Sequence, residues 1–400
     1  MRITYLHQYF NTPEMSGGTR SYEMARRLVA MGHEVNMVTS WREEGGERDW
    51  YETEVAGIRV HWLPVPYSNQ MSYRDRIQAF FRFAWKASRK AASLPADVVF
   101  ATSTPLTIAL PGAYAARRQK VPMVFEVRDL WPDVPCGMGV INSRLLCYGG
   151  KILESFAYKS SREVVALTPT MRDFLSGKGV ALENISIIPN GADIEEFSSG
   201  SEKFRKPAQE KEVRLLYCGG LGPAHGPDYL VDLAEQLYLI GSPVVLDVVG
   251  DGRSRAELEA QAHEKGVIGK NIRFHGSCAK REVPAWYAES AASIMTMAPF
   301  EILYRHSVQN KFFDSLAAGK PIVSNYRGWS SELAEREGAG LIIPMDDVRD
   351  AAVSLTNALQ DQAWVDSAAE SARALAEERF SRDQLAGELE RVLVKAAGTG

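Results

Sequence analysis

Short apolar runs of β-type residues alternate along this chain with longer segments whose apolar positions return every three or four residues. The first half reads as strands at 2–6, 35–39, 58–63, 97–101, 122–126, 163–167 and 185–188, with helical segments at 20–31, 73–92, 105–118 and 142–160 between them. Strands separated by amphipathic crossovers predict parallel sheets. Residues 195–211 lose all periodicity and are rich in Ser, Lys and Glu, so they read as a linker. The alternation restarts with a strand at 213–217, followed by strands near 243–249, 271–275, 292–297, 321–323 and 340–343. The last helical stretch, 382–397, follows Phe380-Ser381, where Ser381 is placed to cap it. The pattern predicts an α/β protein: a β/α domain over 1–194, a linker over 195–211, a second β/α domain over 212–379 and a C-terminal helix over 380–400. Sheets of this kind take ligands at the carboxyl ends of their strands, so two in tandem predict a cleft lined by both.

Composition narrows the class. A chain of 400 residues, 45% apolar and 24% charged, can bury two cores and has the balance of a soluble globular protein. A net charge of -4 argues against general nucleic-acid binding. Cys136, Cys147, Cys218 and Cys278 form no CxxC pair, which excludes the usual zinc spacings and predicts no disulfide framework. A reducing cytoplasm fits that usage. No apolar run reaches the roughly 18 residues that span a bilayer, and no signal-peptide pattern opens the chain.

Three glycine loops carry the first candidate chemistry. Strand 2–6 runs through a loop to Ser16-Gly17-Gly18, just before a helix starts near Thr19 or Arg20. Paired glycines before a helix N-terminus let a ligand approach the backbone, although an ordinary loop has the same composition. The second half repeats the arrangement at Cys218-Gly219-Gly220-Leu221-Gly222-Pro223-Ala224-His225-Gly226, with a helix from about Pro227. A helix N-terminus carries roughly half a positive charge and free N–H groups, so this loop suits phosphate. It is neither GxGxxG nor a P-loop, which argues against a dinucleotide dehydrogenase and a P-loop ATPase. The third loop, Gly250-Asp251-Gly252-Arg253-Ser254-Arg255, reads either as a nucleotide-facing element or as a plain turn.

Asn310 to Val323 is the most informative segment: a short helix, a turn at Gly319, then Pro321 and a buried strand at Ile322-Val323. Lys311 and Asp314 lie three residues apart and share a helical face. A cation and a carboxylate at a sheet edge match a sugar nucleotide, the cation for the diphosphate and the carboxylate for the ribose hydroxyls. A surface ion pair is the alternative.

Taken in order, these elements resemble a retaining GT-B glycosyltransferase of family 4. The resemblance rests on Ser16-Gly17-Gly18, Ile188-Pro189-Asn190-Gly191-Ala192-Asp193, the loop Gly219 to Gly226, Gly250-Asp251-Gly252, and Lys311 to Val323. Within that family, Glu126-Val127-Arg128-Asp129-Leu130-Trp131-Pro132 is similar to the bacterial O-antigen and capsule branch of the WbuB type. The resemblance implies two facing Rossmann-like domains, with the C-terminal helix returning to the first. It also implies a UDP-sugar donor, an N-acetylated sugar, a lipid-linked diphosphosugar acceptor, no cofactor and no metal. The chain departs from the family at three places. The diphosphate loop has Gly220 and His225 where many members carry Arg and Lys, which leaves Lys311, with Arg305, to supply the charge. Asp314 holds the place of the second family glutamate, and His306 that of the first. Arg128-Asp129 stands where many members have His-Asp.

The implied reaction develops negative charge on the departing diphosphate and positive charge on the sugar. Substrate contacts are expected from Gly17, Gly18, Gly220, Leu221, His225, Gly250, Arg255, Arg305, Lys311 and Asp314. Asp129, at a first-domain strand end beside Arg128, reads as the group that deprotonates or positions the acceptor hydroxyl, or else as the partner of an arginine. Glu301 reads as a donor-sugar contact or a solvated loop acid. Residues 67–92 interleave Arg82, Lys86, Arg89 and Lys90 with Phe80, Phe81, Phe83 and Trp85, the pattern of a helix on anionic membrane or of an ordinary crossover helix. The expectation is thus a cytoplasmic enzyme, peripheral on the inner face of the membrane. A UDP-sugar epimerase or hydrolase and a non-catalytic sugar-nucleotide binder are the rivals.

Overall fold

A computed structural model of the protein describes residues 1–15, 17–43, 49–67, 71–201 and 212–398. The chain divides into two compact units. One holds residues 1–189 except 14–16, together with the C-terminal segment from Arg382; the other holds 190–381 with 14–16.

The first unit is built on β1 (Arg2–Leu6), β2 (Glu34–Trp41), β3 (Tyr51–Val55), β4 (Ile58–Pro64), β5 (Val98–Thr102), β6 (Met123–Val127), β7 (Glu163–Ala166) and β8 (Ile185–Ile187). Their order across the sheet is β3-β4-β2-β1-β5-β6-β7-β8. All neighbours are parallel except β3, which forms a hairpin with β4. The inner strands are buried along their length, as in β5 and β6, because helices cover both faces of the sheet. β3 escapes the sequence reading because Tyr51–Val55 lies at the sheet edge with its middle residues exposed and lacks an apolar run.

The second unit has six parallel strands: β9 (Val213–Cys218), β10 (Val244–Val249), β11 (Ile272–Gly276), β12 (Ala292–Met295), β13 (Ile322–Ser324) and β14 (Gly340–Ile342). Their order is β11-β10-β9-β12-β13-β14. The two sheets share one feature of connectivity. In the first the chain moves outward from β1 and returns to lay β5 on its other side; in the second it moves outward from β9 and returns to β12. The carboxyl ends of β1 and β5, and of β9 and β12, are therefore the switch points where open α/β sheets leave room for a ligand.

The C-terminal helix Arg382–Ala397 belongs to the first unit, as expected. Leu385, Leu389, Val392, Leu393 and Ala396 form its buried stripe, and Lys395 Nζ reaches Glu163 at 2.9 Å. The helix begins at Arg382, and Ser381 forms a single bridge with Ala192.

Two expectations need correction. Residues 195–201 are not linker: Ile194–Ser201 is a helix, and Phe197 is buried against Tyr287 with ring centroids 5.5 Å apart. Its two apolar residues are hidden in sequence among Glu and Ser. The remainder of that segment, 202–211, lies outside the described residues. Cys136 and Cys147 form a disulfide with Cα atoms 6.2 Å apart, against the expectation of none. The short helix Asp133–Gly137 turns back toward the start of helix Arg144–Lys159, a closeness that spacing along the chain does not reveal. Among the described residues no helix is long and apolar enough to cross a membrane.

Candidate functional site

At the β9 switch point the backbone is packed loop on loop. Gly219 N–H donates to Val249 O (2.9 Å), Leu221 N–H to Asp251 O (3.0 Å), and Ser254 N–H to Leu221 O (3.1 Å). Gly250 lies at φ +152°, and a Cβ there would meet Gly219 O at 1.9 Å. Glycine is required at this position for close approach, so the loop 250–255 acts as the support of the glycine loop 218–226. Leu221 is fully buried, which leaves Gly220 as the exposed residue of this turn, with Gly219 and Gly222 half-buried beside it.

Lys311 lies against this loop. Helix Asn310–Ala317 buries it, with Phe312 and Phe313, beneath the end of β9. Its Nζ has no hydrogen-bond partner and stands 3.4 Å from the centroid of the Tyr217 ring. A Cβ on Gly219 would sit 3.0 Å from Lys311 Cε, so a larger residue there would press on the end of the lysine side chain. Burial brings the Lys311 pKa down to about 7, while the Cys218 thiol pushes the other way. An ammonium buried without a partner is costly, and a bound anion relieves the cost. His225, in the one-turn segment Pro223–His225, is held neutral: burial first, then the Lys311 charge, lowers its pKa to about 4, and its Nδ1 has no partner. Its Nε2 lies 3.9 Å from the Cβ direction of Gly220. The alternative of a Lys311–Asp314 surface pair is excluded. Asp314 instead accepts from Lys280 Nζ at 2.8 Å. The Cys218 and Cys278 thiols influence each other: the Cys278 thiol and burial raise Cys218, and the Cys218 thiol brings Cys278 down to about 7.

The other expected charged residues have partners of their own. Arg255 turns to Glu259 on its own helix (2.8 Å) and lies 3.8 Å from Asp251. Glu301 opens the short helix Glu301–His306 and pairs with Arg305 at 3.2 Å, both largely exposed. The Glu301 expectation rested on a strand reaching 297, whereas β12 ends at Met295.

In the first unit, the ends of β1, β5 and β6 bring His7, Ser103, Thr104, Arg128 and Asp129 into one polar group. Thr104 Oγ1 donates to Asp129 Oδ2 at 2.6 Å, and Arg128 N–H donates to Ser103 Oγ at 3.0 Å. Asp129 is exposed and, among the described residues, no arginine bridges it. His7 is buried with Nδ1 unpartnered; burial, then the charges of Arg128 and Arg42, hold its pKa well below the usual histidine value. A neutral imidazole with a spare ring nitrogen can accept or donate one hydrogen bond. Gly17 (φ +118°) and Gly18 lie beside Asn11, whose Nδ2 donates to Gly18 O at 3.3 Å; Ser16 lies outside the described residues.

Sequence reasoning missed the pair beneath this group. Arg20, the first residue of helix Arg20–Ala30, and Glu126 on β6 are both essentially inaccessible and 2.7 Å apart. Arg20 also donates to the carbonyls of Ile188 (2.8 Å) and Pro189, and Thr102 donates to Glu126. Burial alone would raise the Glu126 pKa, but the Arg20 charge and hydrogen bond outweigh it and the net shift is downward. The signal was present: a carboxylate inside the apolar run Met123-Val124-Phe125-Glu126-Val127 requires a buried cation.

Two open, mainly parallel α/β sheets, each with polar groups gathered at its switch point, have the architecture of the GT-B glycosyltransferase fold. Residues 17–191 match the glycosyl transferase 4-like domain, and residues 212–361 match glycosyl transferases group 1. Together the two matches take in most of the chain, and each describes a glycosyl transferase domain. Among sequence relatives, WcaI of Escherichia coli (strain K12), whose name provisionally makes it a colanic acid biosynthesis glycosyl transferase, is 25% identical over 295 residues, covering 66% of this chain and 69% of that protein. Among solved structures, sucrose-phosphate synthase of Thermosynechococcus elongatus shares the fold at a TM-score of 0.79, with 16% identity and full coverage of both chains (100% each). Anabaena Alr3699/HepE in complex with UDP-glucose superposes at a TM-score of 0.72, with 19% identity over 99% of this chain and 100% of the other.

Proposed function

We propose that this protein is a retaining glycosyltransferase. It moves a sugar, an N-acetylated hexosamine or deoxyhexosamine, from a UDP-sugar to a polyprenyl-diphosphate-linked sugar during synthesis of a bacterial surface polysaccharide of the O-antigen or capsule type. It works in the cytoplasm, on the anionic inner face of the membrane, a compartment whose glutathione and thioredoxin would reduce the Cys136–Cys147 disulfide. The observation that carries the donor half is the buried Lys311 ammonium without a hydrogen-bond partner, set against the backbone of Gly219. A diphosphate seated on that loop supplies the missing anion. The complex of Alr3699/HepE with UDP-glucose supports UDP as the nucleotide, and the name of the Escherichia coli relative supports polysaccharide synthesis.

In this reading Lys311 and the loop N–H groups stabilise the charge of the departing UDP, with neutral His225 as a hydrogen-bonding neighbour. Asp314 accepts from the ribose through the carboxylate oxygen that Lys280 leaves open. Asp129, held by Thr104, positions or deprotonates the acceptor hydroxyl, with Arg128 beside it. The test is a donor screen by thermal shift, followed by turnover with and without a lipid-linked acceptor. A donor at 100 times its dissociation constant adds about 2.7 kcal/mol of stability. Hydrolysis or epimerisation of the donor without acceptor would replace transfer by the rival enzyme reading, and tight binding with no turnover would make the protein a binder.

A further inference from the structure

The helix Arg144–Lys159 leaves an apolar stripe uncovered. Leu145 (78% exposed), Tyr148 (64%), Ile152 (55%) and Phe156 (41%) follow at intervals of three or four residues, so they share one face. Near Phe156 the stripe opens into a groove of about 1160 Å³ between this helix and the helices Tyr73–Ser93 and Ala109–Gln119. Phe81, Trp85, Leu110, Tyr114, Met123 and Phe156 give it apolar walls, and Arg117, Lys120 and Arg162 stand among its lining residues. Trp85 and Phe81 are 66% and 53% exposed. An uncovered apolar face of this extent marks a binding surface.

The surrounding charge indicates what covers it. Helix Ala109–Gln119 contains no acidic residue, and the one acid of Arg144–Lys159, Glu154, is buried and taken up by Lys178 and Tyr158. Arg117, Arg118, Lys120, Lys151, Lys159 and Arg162 are exposed. Arg89 lies over the Trp85 ring at 5.0 Å. Cations of one sign around an apolar groove complement a phosphate-bearing amphiphile. They oppose a second copy of this chain, because a two-fold contact would set like charges face to face. The groove is also separate from the polar group of the first unit. It opens at Pro122 and Met123, where β6 begins, whereas Asp129 lies beyond the other end of that strand, about 16 Å along at 3.3 Å per residue.

We propose that this groove binds the hydrocarbon chain of an anionic membrane lipid, with the lipid phosphate on the cations at its rim and the stripe of helix Arg144–Lys159 lying in the acyl region. This deepens the reading of a membrane-associated transferase and assigns the contact to three helices rather than to the basic helix at 73–92 alone. The test uses the full chain with no donor or acceptor, so its outcome is independent of sugar transfer. Vesicles of phosphatidylglycerol with brominated acyl chains should bind the protein and quench tryptophan emission, and the quenching should largely disappear in Trp85→Phe. Tyr114→Ser and Phe156→Ser, at exposed positions, should each weaken vesicle binding by about tenfold and leave residual binding that is more salt-sensitive. Folding of each variant is checked by an unchanged melting temperature and far-ultraviolet circular dichroism in the absence of any ligand. Binding without bromolipid quenching, or binding abolished by salt in the wild type, would show a charge-only contact and overturn the proposal. So would a dimer that Phe156→Ser dissociates.

Discussion

Replacing Lys311 with Met tests the donor site at its centre. The free lysine titrates at 10.5 and the buried one at about 7. At 1.36 kcal/mol per pKa unit, holding the charged form in the folded protein costs at most about 5 kcal/mol; water entry and side-chain movement reduce that figure. The unfolded chain keeps this proton up to 10.5 while the folded one releases it near 7. Between those values the unfolded state binds more protons, so stability rises with pH, and below about 7 the cost is present in full. Lys311→Met, similar in length and apolar, should therefore melt above the wild type at pH 6, with the gap closing toward pH 10. A bound diphosphate reverses the balance by supplying the anion. The UDP-sugar diphosphate itself has no proton to exchange in this range, so uptake reports on the protein. Titration calorimetry in buffers of different ionisation enthalpy should find about 0.9 proton taken up per site at pH 8 and about 0.1 at pH 6. Affinity should fall by about tenfold per pH unit above pH 8, and Lys311→Met should abolish the uptake and weaken binding at pH 7 by at least about tenfold. Wild-type binding with no proton uptake at pH 8, or equal affinity in Lys311→Met, would refute the reasoning.

Three further outcomes are expected. Arg20→Met leaves Glu126 buried without its cation and should cost about 3–5 kcal/mol in urea unfolding, whereas the double change to Met at 20 and Leu at 126 should recover much of the loss; an Arg20→Met protein as stable as the wild type would contradict the account of that pair. Asp129→Asn should lower turnover by about 10²-fold with UDP-sugar affinity unchanged in calorimetry, and near-normal turnover would remove Asp129 from the mechanism. Gly250→Ala drives a methyl group into Gly219 O, so it should weaken donor binding and lower the melting temperature together; a change in neither would mean that the two loops do not depend on each other.

The fold was legible because it rests on local patterns. Parallel strands covered on both faces read as apolar runs, crossover helices as three-and-four spacing, and the glycine loops as breaks at strand ends. The helical stretch 382–397 was legible too, and the structure shows Leu385, Leu389, Val392 and Leu393 as its buried side. Lys311 could be chosen as a candidate from its helix and the Gly319 turn, but sequence could not tell a surface pair from a buried ammonium. That difference depends on Tyr217, Gly219 and His225, which reach Lys311 only when β9 and helix Asn310–Ala317 pack together. The pairs Arg20–Glu126, Lys280–Asp314 and Cys136–Cys147 likewise join segments that strand order and helix packing bring together. The basic aromatic helix at 73–92 could be read alone, but its groove could not, because one wall comes from Tyr114 and another from Phe156. Periodicity records which side of an element is buried; it carries no record of the neighbour, and the neighbour decides whether a charge is paired, shifted or left for a ligand.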